Sequence, residues 1–277
     1  MTLSRGVSRR ILPLTLQRNL KVIHNWMWQI YNRTRYFVKW QMNPYFWVST
    51  IRMRKLKNKY YGQRCFIIGN GPSLNRMDLS LLKNEYTFGL NRIYLLFPKI
   101  GFTTTYYVAV NRLVIEQCAH EIEKLPITKF ISYHAKPHIN YTSDMIFVCN
   151  PGTGLFFSKN PVSRISEGAT VTYVAMQIAF YLGFSQVILI GVDHNFTTKG
   201  EPHKTVTSEG PDPNHFSPDY FNKGFQWQLP DLDTSEEAYR LAKQTFEQDG
   251  RKILDATVDG RLQVFPKVDF QSLFIKE

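Results

Sequence analysis

The chain has 277 residues, of which 43% are hydrophobic and 20% charged, and its formal net charge is +12. The length suits one large α/β domain or two small ones, and the composition is that of a globular protein. No apolar run reaches the roughly 18 residues of a membrane-spanning helix, and the N-terminus lacks the apolar core of a signal peptide. The three cysteines (Cys65, Cys118 and Cys149) have no metal-binding or redox spacing. We therefore expect a cytoplasmic, reducing environment.

The charge is distributed unevenly along the chain. Fifteen Lys and Arg residues and no acidic residue precede Asp78, so the positive excess lies in the N-terminal quarter. Within residues 1–60, cations alternate with aromatic residues, and residues 20–31 carry apolar side chains at near-helical spacing. The pattern predicts a basic, aromatic, helical N-terminal arm over residues 1–60. A nucleotide-binding catalytic domain is expected over residues 61–277.

An arm of this composition suits the headgroup region of an anionic membrane. We therefore predict a peripheral location on the inner face of the membrane, with residues 1–60 making the contact. A second interpretation is that the arm packs on the body of the protein or forms a homo-oligomer contact. Nucleic-acid binding is a third, but no DNA- or RNA-binding motif supports it, and we expect no nucleic-acid partner.

The first predicted strand runs into a glycine-rich turn, Cys-Phe-Ile-Ile-Gly-Asn-Gly-Pro-Ser-Leu at residues 65–74. Gly69 and Gly71 permit a sharp turn and the close approach of a ligand to the main chain. Pro72 and Ser73 suit the first turn of a helix, whose free N–H groups attract phosphate. The stretch is neither a Walker A loop nor the dinucleotide fingerprint, which has a third glycine. A plain strand-to-helix turn is therefore the alternative.

Strands alternate with helices along the rest of the chain. Short apolar runs predict strands, and the 3.6-residue period predicts helices. The predicted strands are 65–68, 86–92, 105–111, 129–133, 145–148, 186–193 and 252–256. The predicted helices are 79–82, 113–125, 169–182 and one from a capping box at Thr234 and Glu237 to about Gly250. This order predicts an α/β fold with a Rossmann-like, doubly wound, mostly parallel sheet.

Polar residues follow several of these strands. Asn70, Asn91 and Asn111 end or follow three successive strands, and Asp193 ends the apolar run 186–193. In an open α/β sheet, ligands bind outside the carboxyl ends of the strands. Amides there can bind a base, ribose or sugar without adding charge. The alternative is that asparagine simply favours turns.

A second candidate anion site precedes the clearest helix. Arg164, Ser166, Glu167 and Gly168 lead into it, and Ser166 and Thr170 offer hydroxyl groups beside its N-terminus. We expect this segment to face a phosphate or a donor sugar. Glu167 could instead be a capping acid.

The segment after Asp193 is polar and long, from Thr197 to Pro213. A loop of this length in a compact domain is usually a lid or disordered. It leads to His215 and Asp219, either of which could remove a proton from an attacking hydroxyl group. The spacings of the histidines and aspartates match no metal-binding pattern, so we predict no metal site.

The order of these motifs resembles one superfamily. It joins the bacterial Campylobacter-type sialyltransferases to the archaeal 6-hydroxymethylpterin diphosphokinase (MptE-like) proteins. The resemblance covers roughly residues 62–270. It is carried by Ile-Ile-Gly-Asn-Gly-Pro-Ser-Leu (67–74), Phe-Gly-Leu-Asn-Arg (88–92), Val-Ala-Val-Asn (108–111), Arg-Ile-Ser-Glu-Gly (164–168), Tyr-Leu-Gly-Phe (181–184) and Ile-Leu-Ile-Gly-Val-Asp (188–193).

The resemblance to the sialyltransferase branch implies a single Rossmann-type domain that uses CMP-sialic acid without a metal. It implies that Asn70, Asn91 and Asn111 bind the donor, and that residues 164–168 contact its phosphate and sugar. That branch has a catalytic His-x-x-x-His segment. Here His215 occupies the first position and Asp219 the second, and Asn195 stands where a phosphate-binding tyrosine is expected.

From this resemblance we expect a metal-independent glycosyltransferase. It would transfer a sugar from a CMP-sialic-acid-like donor to a cell-surface glycan, with His215 or Asp219 as the base. The MptE-like branch implies the alternative of a pterin diphosphokinase that uses ATP and Mg²⁺, with Asp193 and Asp219 as candidate metal carboxylates. A third hypothesis is a non-catalytic scaffold docked on a membrane.

Overall fold

A computed structural model describes residues 34–152 and 154–275, together with Ile23, Met27, Trp28, Ile30 and Tyr31. These five residues are helical and exposed. Most of the predicted arm before residue 34, including much of the stretch 20–31, lies outside the described residues. Residues 34–41 are helical, as the arm prediction requires.

Seven parallel strands form the central sheet, in the order β5-β4-β3-β2-β1-β6-β9. Their bounds are β1 Arg64–Ile68, β2 Thr87–Leu90, β3 Tyr106–Ala109, β4 Thr128–Ser132, β5 Met145–Val148, β6 Gln186–Ile190 and β9 Lys252–Asp255. Almost every residue in the five central strands is buried, which is typical of a parallel sheet covered on both faces. The chain builds outward from β1 to β5, then returns to place β6 beside β1. This strand order is that of a doubly wound sheet and confirms the predicted fold class.

Helices cover both faces of the sheet. They are α1 Pro44–Leu56, α2 Phe97–Ile100, α3 Arg112–Glu123, α4 Val171–Leu182 and α5 Leu232–Gln248. Short 3₁₀ helices span Pro72–Arg76, Leu79–Leu82, Ile93–Leu96, Tyr133–His138 and Gln271–Phe274. The buried residues of α4 and α5 belong to the core on one face, and those of α3 to the core on the other. The predicted helices 113–125 and 169–182 are therefore confirmed within two residues at each end.

The predicted start of the last helix is wrong by three residues. Asp231, rather than Thr234, is the N-cap, and its carboxylate accepts the N–H of Thr234 at 2.9 Å. Because that acid already satisfies the first free N–H groups, α5 begins at Leu232.

Residues 40–60 pack on the body of the domain. Trp40, Met53 and Tyr60 are buried in its two cores. The side chain of Ser49 accepts the N–H of Phe147 at 2.9 Å, and Arg52 donates to the carbonyl of Met145 at 3.0 Å. Helix α1 thus covers the open edge of β5. The predicted boundary between residues 60 and 61 stays a prediction, but residues 40–60 contribute to the same core as the sheet.

The predicted long loop contains β7 Thr205–Thr207, which pairs with β8 Gln226–Gln228 to form a small antiparallel ribbon. The side chain of Gln117 on α3 fixes this ribbon, since it accepts the N–H of Gln226 and donates to its carbonyl, both at 2.8 Å. None of the helices in the described part of the chain has the length and apolar character needed to cross a membrane.

Candidate functional site

Two adjoining cavities lie at the carboxyl ends of the central strands, where ligands bind in open α/β sheets. Their volumes are about 590 Å³ and 170 Å³. We call them the large and the small cavity, and together the cleft. Residues from both halves of the chain line both of them: Asn91, Ala169, Thr170, Val171, Phe196, His215, Pro230 and Asp231.

The turn after β1 packs directly on the turn after β6. A Cβ atom on Gly69 would lie 2.2 Å from the carbonyl oxygen of Gly191, and one on Gly71 would lie 1.8 Å from Oδ2 of Asp193. Both glycines are therefore required for the contact between the two turns. The protein itself thus fills the space on the Cβ side of both glycines. Both also line the small cavity, so the approach of a ligand to their main chain stays a prediction.

Asp193 also occupies the predicted phosphate position at this turn. Its carboxylate accepts the N–H of Ser73 at 3.1 Å and the Ser73 hydroxyl at 2.6 Å. Burial raises the pKa of Asp193, and the two hydrogen bonds from Ser73 partly oppose that rise. The residues after Gly71 form only the 3₁₀ helix Pro72–Arg76. The first N–H groups of this turn are thus partly satisfied by an internal carboxylate.

Two of the three predicted asparagines carry unsatisfied amide oxygens. The Oδ1 atoms of Asn70 and Asn91 are buried and have no hydrogen-bond partner in the described structure. Asn70 lines the small cavity, and Asn91 lines both. Asn91 also has φ +48°, an uncommon left-handed conformation for a residue other than glycine. A buried hydrogen-bond acceptor without a donor lowers the stability of a fold. A ligand in the cleft could supply the missing donors to these two Oδ1 atoms.

Asn111 has a different role from the other two. Its Oδ1 accepts the N–H of Val114 at 3.2 Å and caps α3. Its Nδ2 lies 3.5 Å from Oε1 of Gln228 on β8, and the residue lines the large cavity. Asn111 therefore has a structural role as a helix cap. It also lies at the cleft, so its contact with the donor stays a prediction.

His215 lies between the two cavities. Its Nδ1 is 2.7 Å from Oδ2 of Asp212, and its ring stacks on that of Tyr220 with centroids 3.8 Å apart and planes 7° apart. Among the described residues, Nε2 of His215 has no hydrogen-bond partner. The N–H of Phe216 donates to the carbonyl of Asn70 at 2.9 Å, which ties this segment to the turn after β1. The ring is thus held by a buried carboxylate and an aromatic face, with one nitrogen available.

Asp219 lies away from the cleft. Its side chain is exposed, it lines neither cavity, and its main-chain carbonyl accepts from Arg92 at 3.2 Å. The structure therefore does not bring the two candidate bases, His215 and Asp219, together.

The segment before α4 is only partly at the cleft. Arg164 is exposed and lies over the ring of Phe156 at 4.7 Å, outside both cavities. Ser166 lines the large cavity but is 3% exposed, and its hydroxyl donates to the carbonyl of Gly154. Gly168 has φ +53°, and a Cβ there would lie 2.6 Å from both Ala238 and Tyr173. Gly168 is thus required by the packing and the Ser166 hydroxyl has a partner within the protein. Both residues line the large cavity, and their contact with a phosphate or sugar stays a prediction.

Glu167 is the unusual member of this segment. It lines the large cavity, and burial raises its pKa to about 7, against the opposing effect of a hydrogen bond with Asn150. It does not cap α4. That N-cap is Thr170, whose hydroxyl accepts the N–H of Thr172 at 3.3 Å.

Sequence reasoning missed Asp212 and Tyr220, which position His215. Asp212 lies three residues before His215 and also accepts the N–H of Asn214 at 2.8 Å, so Asp-Pro-Asn-His reads locally as a turn. The sequence signal that could have revealed the pair is an acidic residue three positions before the histidine. It also missed the aromatic wall of the large cavity, formed by Phe196, Phe221 and Trp227.

Two further histidines at the cleft are paired with acids. Nε2 of His194 lies 3.1 Å from Glu236, and Nε2 of His203 lies 3.1 Å from Asp231. Within residues 34–152 and 154–275, no three His, Cys, Asp or Glu side chains are grouped closely enough to hold a metal ion.

Comparison with known proteins places the chain in a family. A family model described as 6-hydroxymethylpterin diphosphokinase MptE-like matches residues 41–199. The chain belongs to this MptE-like family. The match confirms the resemblance seen in the motifs, and it includes α1 as well as the sheet from β1 to β6. No curated protein matches the chain.

A solved structure shares the fold of this MptE-like protein. It is the MAf glycosyltransferase from Magnetospirillum magneticum AMB-1, with a TM-score of 0.51 and 15% sequence identity. The similarity covers 80% of the present chain and 36% of the other, so the chain spans little more than a third of that protein. At this identity the likeness concerns the fold.

Proposed function

We propose that this MptE-like protein is a metal-independent glycosyltransferase that uses a nucleotide-activated sugar. The observation that carries the proposal is His215, which is fixed by Asp212 and Tyr220 and has a free Nε2 between the two cavities. A histidine oriented in this way by a carboxylate is suited to general-base catalysis. A transferase that acts on a hydroxyl acceptor needs such a base.

The unsatisfied amides of Asn70 and Asn91 support a nucleotide donor in the small cavity. Their buried Oδ1 atoms can accept from the amino group of a base or from a ribose hydroxyl. A CMP-linked sugar has both an amino group on its base and ribose hydroxyls, so CMP is the first nucleotide to test. The volume of the large cavity, about 590 Å³, leaves room for the donor sugar and the acceptor.

The proposed reaction is a single displacement. An acceptor hydroxyl attacks the anomeric carbon, and the bond between that carbon and the phosphate oxygen breaks. Nε2 of His215 takes the hydroxyl proton, and the nucleotide leaves with the bonding electrons. This displacement inverts the anomeric carbon. The acceptor would be a cell-surface glycan assembled on the cytoplasmic side of the membrane.

A second candidate, favoured by the description of the family, is 6-hydroxymethylpterin diphosphokinase activity. It would use ATP and Mg²⁺, and of the acids considered for the metal, only Asp193 lines a cavity. Against this candidate, both oxygens of Asp193 already accept hydrogen bonds from Ser73. A non-catalytic scaffold remains the third hypothesis, and it gives no role to the oriented His215.

A thermal-shift titration with CMP, CDP, UDP and ATP, each with and without Mg²⁺, tests the proposal. A ligand that binds only the folded state raises the Tm according to its affinity and concentration. We expect a shift with CMP or another donor nucleotide without Mg²⁺. The shift should disappear in Asn70→Ala and persist in Asn160→Ala, an exposed asparagine outside both cavities.

Other outcomes would contradict the proposal. A shift with ATP only when Mg²⁺ is present would favour the diphosphokinase. No shift with any nucleotide, together with an unchanged cellular phenotype in His215→Ala, would favour the scaffold.

A further inference from the structure

The outward face of α1 exposes large apolar side chains. Trp47 is 60% exposed, Ile51 56% and Val48 37%. Their spacing of i, i+1 and i+4 puts them on one side of the helix, while Ser49, Thr50 and Met53 on the other side are buried. Met42, just before the helix, is 79% exposed. These residues form a patch, which we call the α1 face.

Cations lie at one end of the α1 face. Helix α1 ends with Arg54 and Lys55, both exposed, and Lys57 and Lys59 follow it. Residues 34–61 contain seven Lys or Arg residues and no acid. After residue 77 the chain has 19 basic and 22 acidic residues, so the positive excess of the sequence comes from its first 77 residues, which include α1. Exposed apolar residues flanked by cations are typical of surfaces that bind anionic membranes.

We propose that the α1 face docks on an anionic lipid bilayer. Trp47 and Ile51 enter the boundary between headgroups and acyl chains, and the cations of residues 54–59 bind the headgroups. The exposed aliphatic side chains would gain nothing from a phosphate backbone, which argues against nucleic acid. A second copy joined through the same face would bring two sets of cations together with no acid to pair them.

The position of α1 would bring the cleft near the bilayer. At its N-terminal end, Asn43 donates to the hydroxyl of Tyr133 at 2.9 Å. The next residue, His134, has Nε2 2.8 Å from the carbonyl of Asn150, which lines the large cavity. The side of the cleft next to β5 is therefore connected to the N-terminal end of α1 through two hydrogen bonds. If the proposed function is correct, docking would place a lipid-attached acceptor near the cleft. The docking itself does not depend on the proposed function.

Co-sedimentation with vesicles tests the docking. The full chain is mixed with phosphatidylcholine vesicles or with vesicles that also contain phosphatidylglycerol. We expect binding to the anionic vesicles that weakens as salt increases, because salt screens the headgroup attraction. The double variant Trp47→Ser/Ile51→Ser and the double variant Arg54→Glu/Lys55→Glu should each bind at least about tenfold more weakly.

Matched controls lie elsewhere on the surface. Ile275→Ser changes an apolar residue that is 74% exposed, and Lys252→Glu changes an exposed cation on the opposite edge strand, β9. Both controls should bind like the natural protein. The proposal would be overturned if the Trp47→Ser/Ile51→Ser variant bound anionic vesicles as well as the natural protein does. It would also be overturned if the natural protein were a dimer in solution and this variant a monomer. The Trp47→Ser/Ile51→Ser variant should keep the rise in Tm caused by the nucleotide while it loses vesicle binding. This result would show that docking and nucleotide binding are independent.

Discussion

At the scale of single residues, His215 carries the proposed chemistry and Asp212 positions it. We expect His215→Ala to lower kcat by about 10²- to 10⁴-fold, because the acceptor hydroxyl then loses its base. Asp212→Asn should lower kcat by a smaller factor, since the ring remains stacked on Tyr220. Steady-state kinetics with the donor identified by the nucleotide titration measure both effects.

His120→Ala is the control for these variants, because His120 is an exposed residue of α3 outside both cavities. Its kcat should match that of the natural protein. Full activity in a folded His215→Ala variant would contradict the role of His215 as the general base.

Glu167 should make the stability of the protein depend on pH. Burial raises its pKa from an ordinary 4.5 to about 7, so the folded state binds its proton more tightly than the unfolded state does. This contribution is fully present below about pH 4.5 and is lost as the pH rises through 7. Relative to Glu167→Gln, the Tm of the natural protein should therefore fall between pH 5 and pH 8. Parallel Tm curves for the two proteins would contradict the assignment.

Gly71 permits the contact between two turns that are far apart in sequence. The new methyl group in Gly71→Ala would meet the carboxylate of Asp193 and disrupt its bonds to Ser73. We expect a loss of about 1–3 kcal/mol in the free energy of unfolding, measured with urea. Gly210→Ala is the control, because a Cβ there meets no atom within 4 Å. Equal stability of the two variants would show that the turn after β1 can move.

At the scale of elements, α1 protects the edge of the sheet. Ser49→Ala removes the acceptor for the buried N–H of Phe147, and we expect a cost of about 1–3 kcal/mol in the free energy of unfolding. Thr50 is the matched control, since it is equally buried on the same helix but its hydroxyl has no partner. Thr50→Val should be neutral or stabilising in the same measurement. The reverse order of the two effects would contradict the role given to Ser49.

At the scale of the whole molecule, residues 40–60 belong to the folded body. Deleting residues 1–60 removes the buried side chains of Trp40, Met53 and Tyr60 and uncovers the edge of β5. An open edge strand pairs readily with other chains. We expect this deletion to give aggregated protein, seen by size-exclusion chromatography and circular dichroism. A folded monomer would instead support the boundary predicted from the sequence.

The strands and the parallel, doubly wound class of the sheet could be predicted from the sequence, because buried parallel strands are continuous apolar runs that alternate with helices. The order of the strands was not predicted. The site was predicted only in part. Asn70 and Asn91 could be found because they follow strands. The bond between Ser73 and Asp193 joins residues 120 positions apart, and local pattern gives no sign of it. The partners of His215 were missed for a related reason, since Asp-Pro-Asn-His also specifies a turn.

The order of the strands has a consequence for how the chain folds during synthesis. β1 through β5 can assemble one after another as they leave the ribosome, but β1 then has one side unpaired until β6 emerges. At typical translation rates the 117 residues between Ile68 and Gln186 take on the order of ten seconds. Through that interval β1, which later lies between β2 and β6 inside the sheet, is an exposed apolar edge. The nascent half-sheet is therefore the species most in need of chaperone protection.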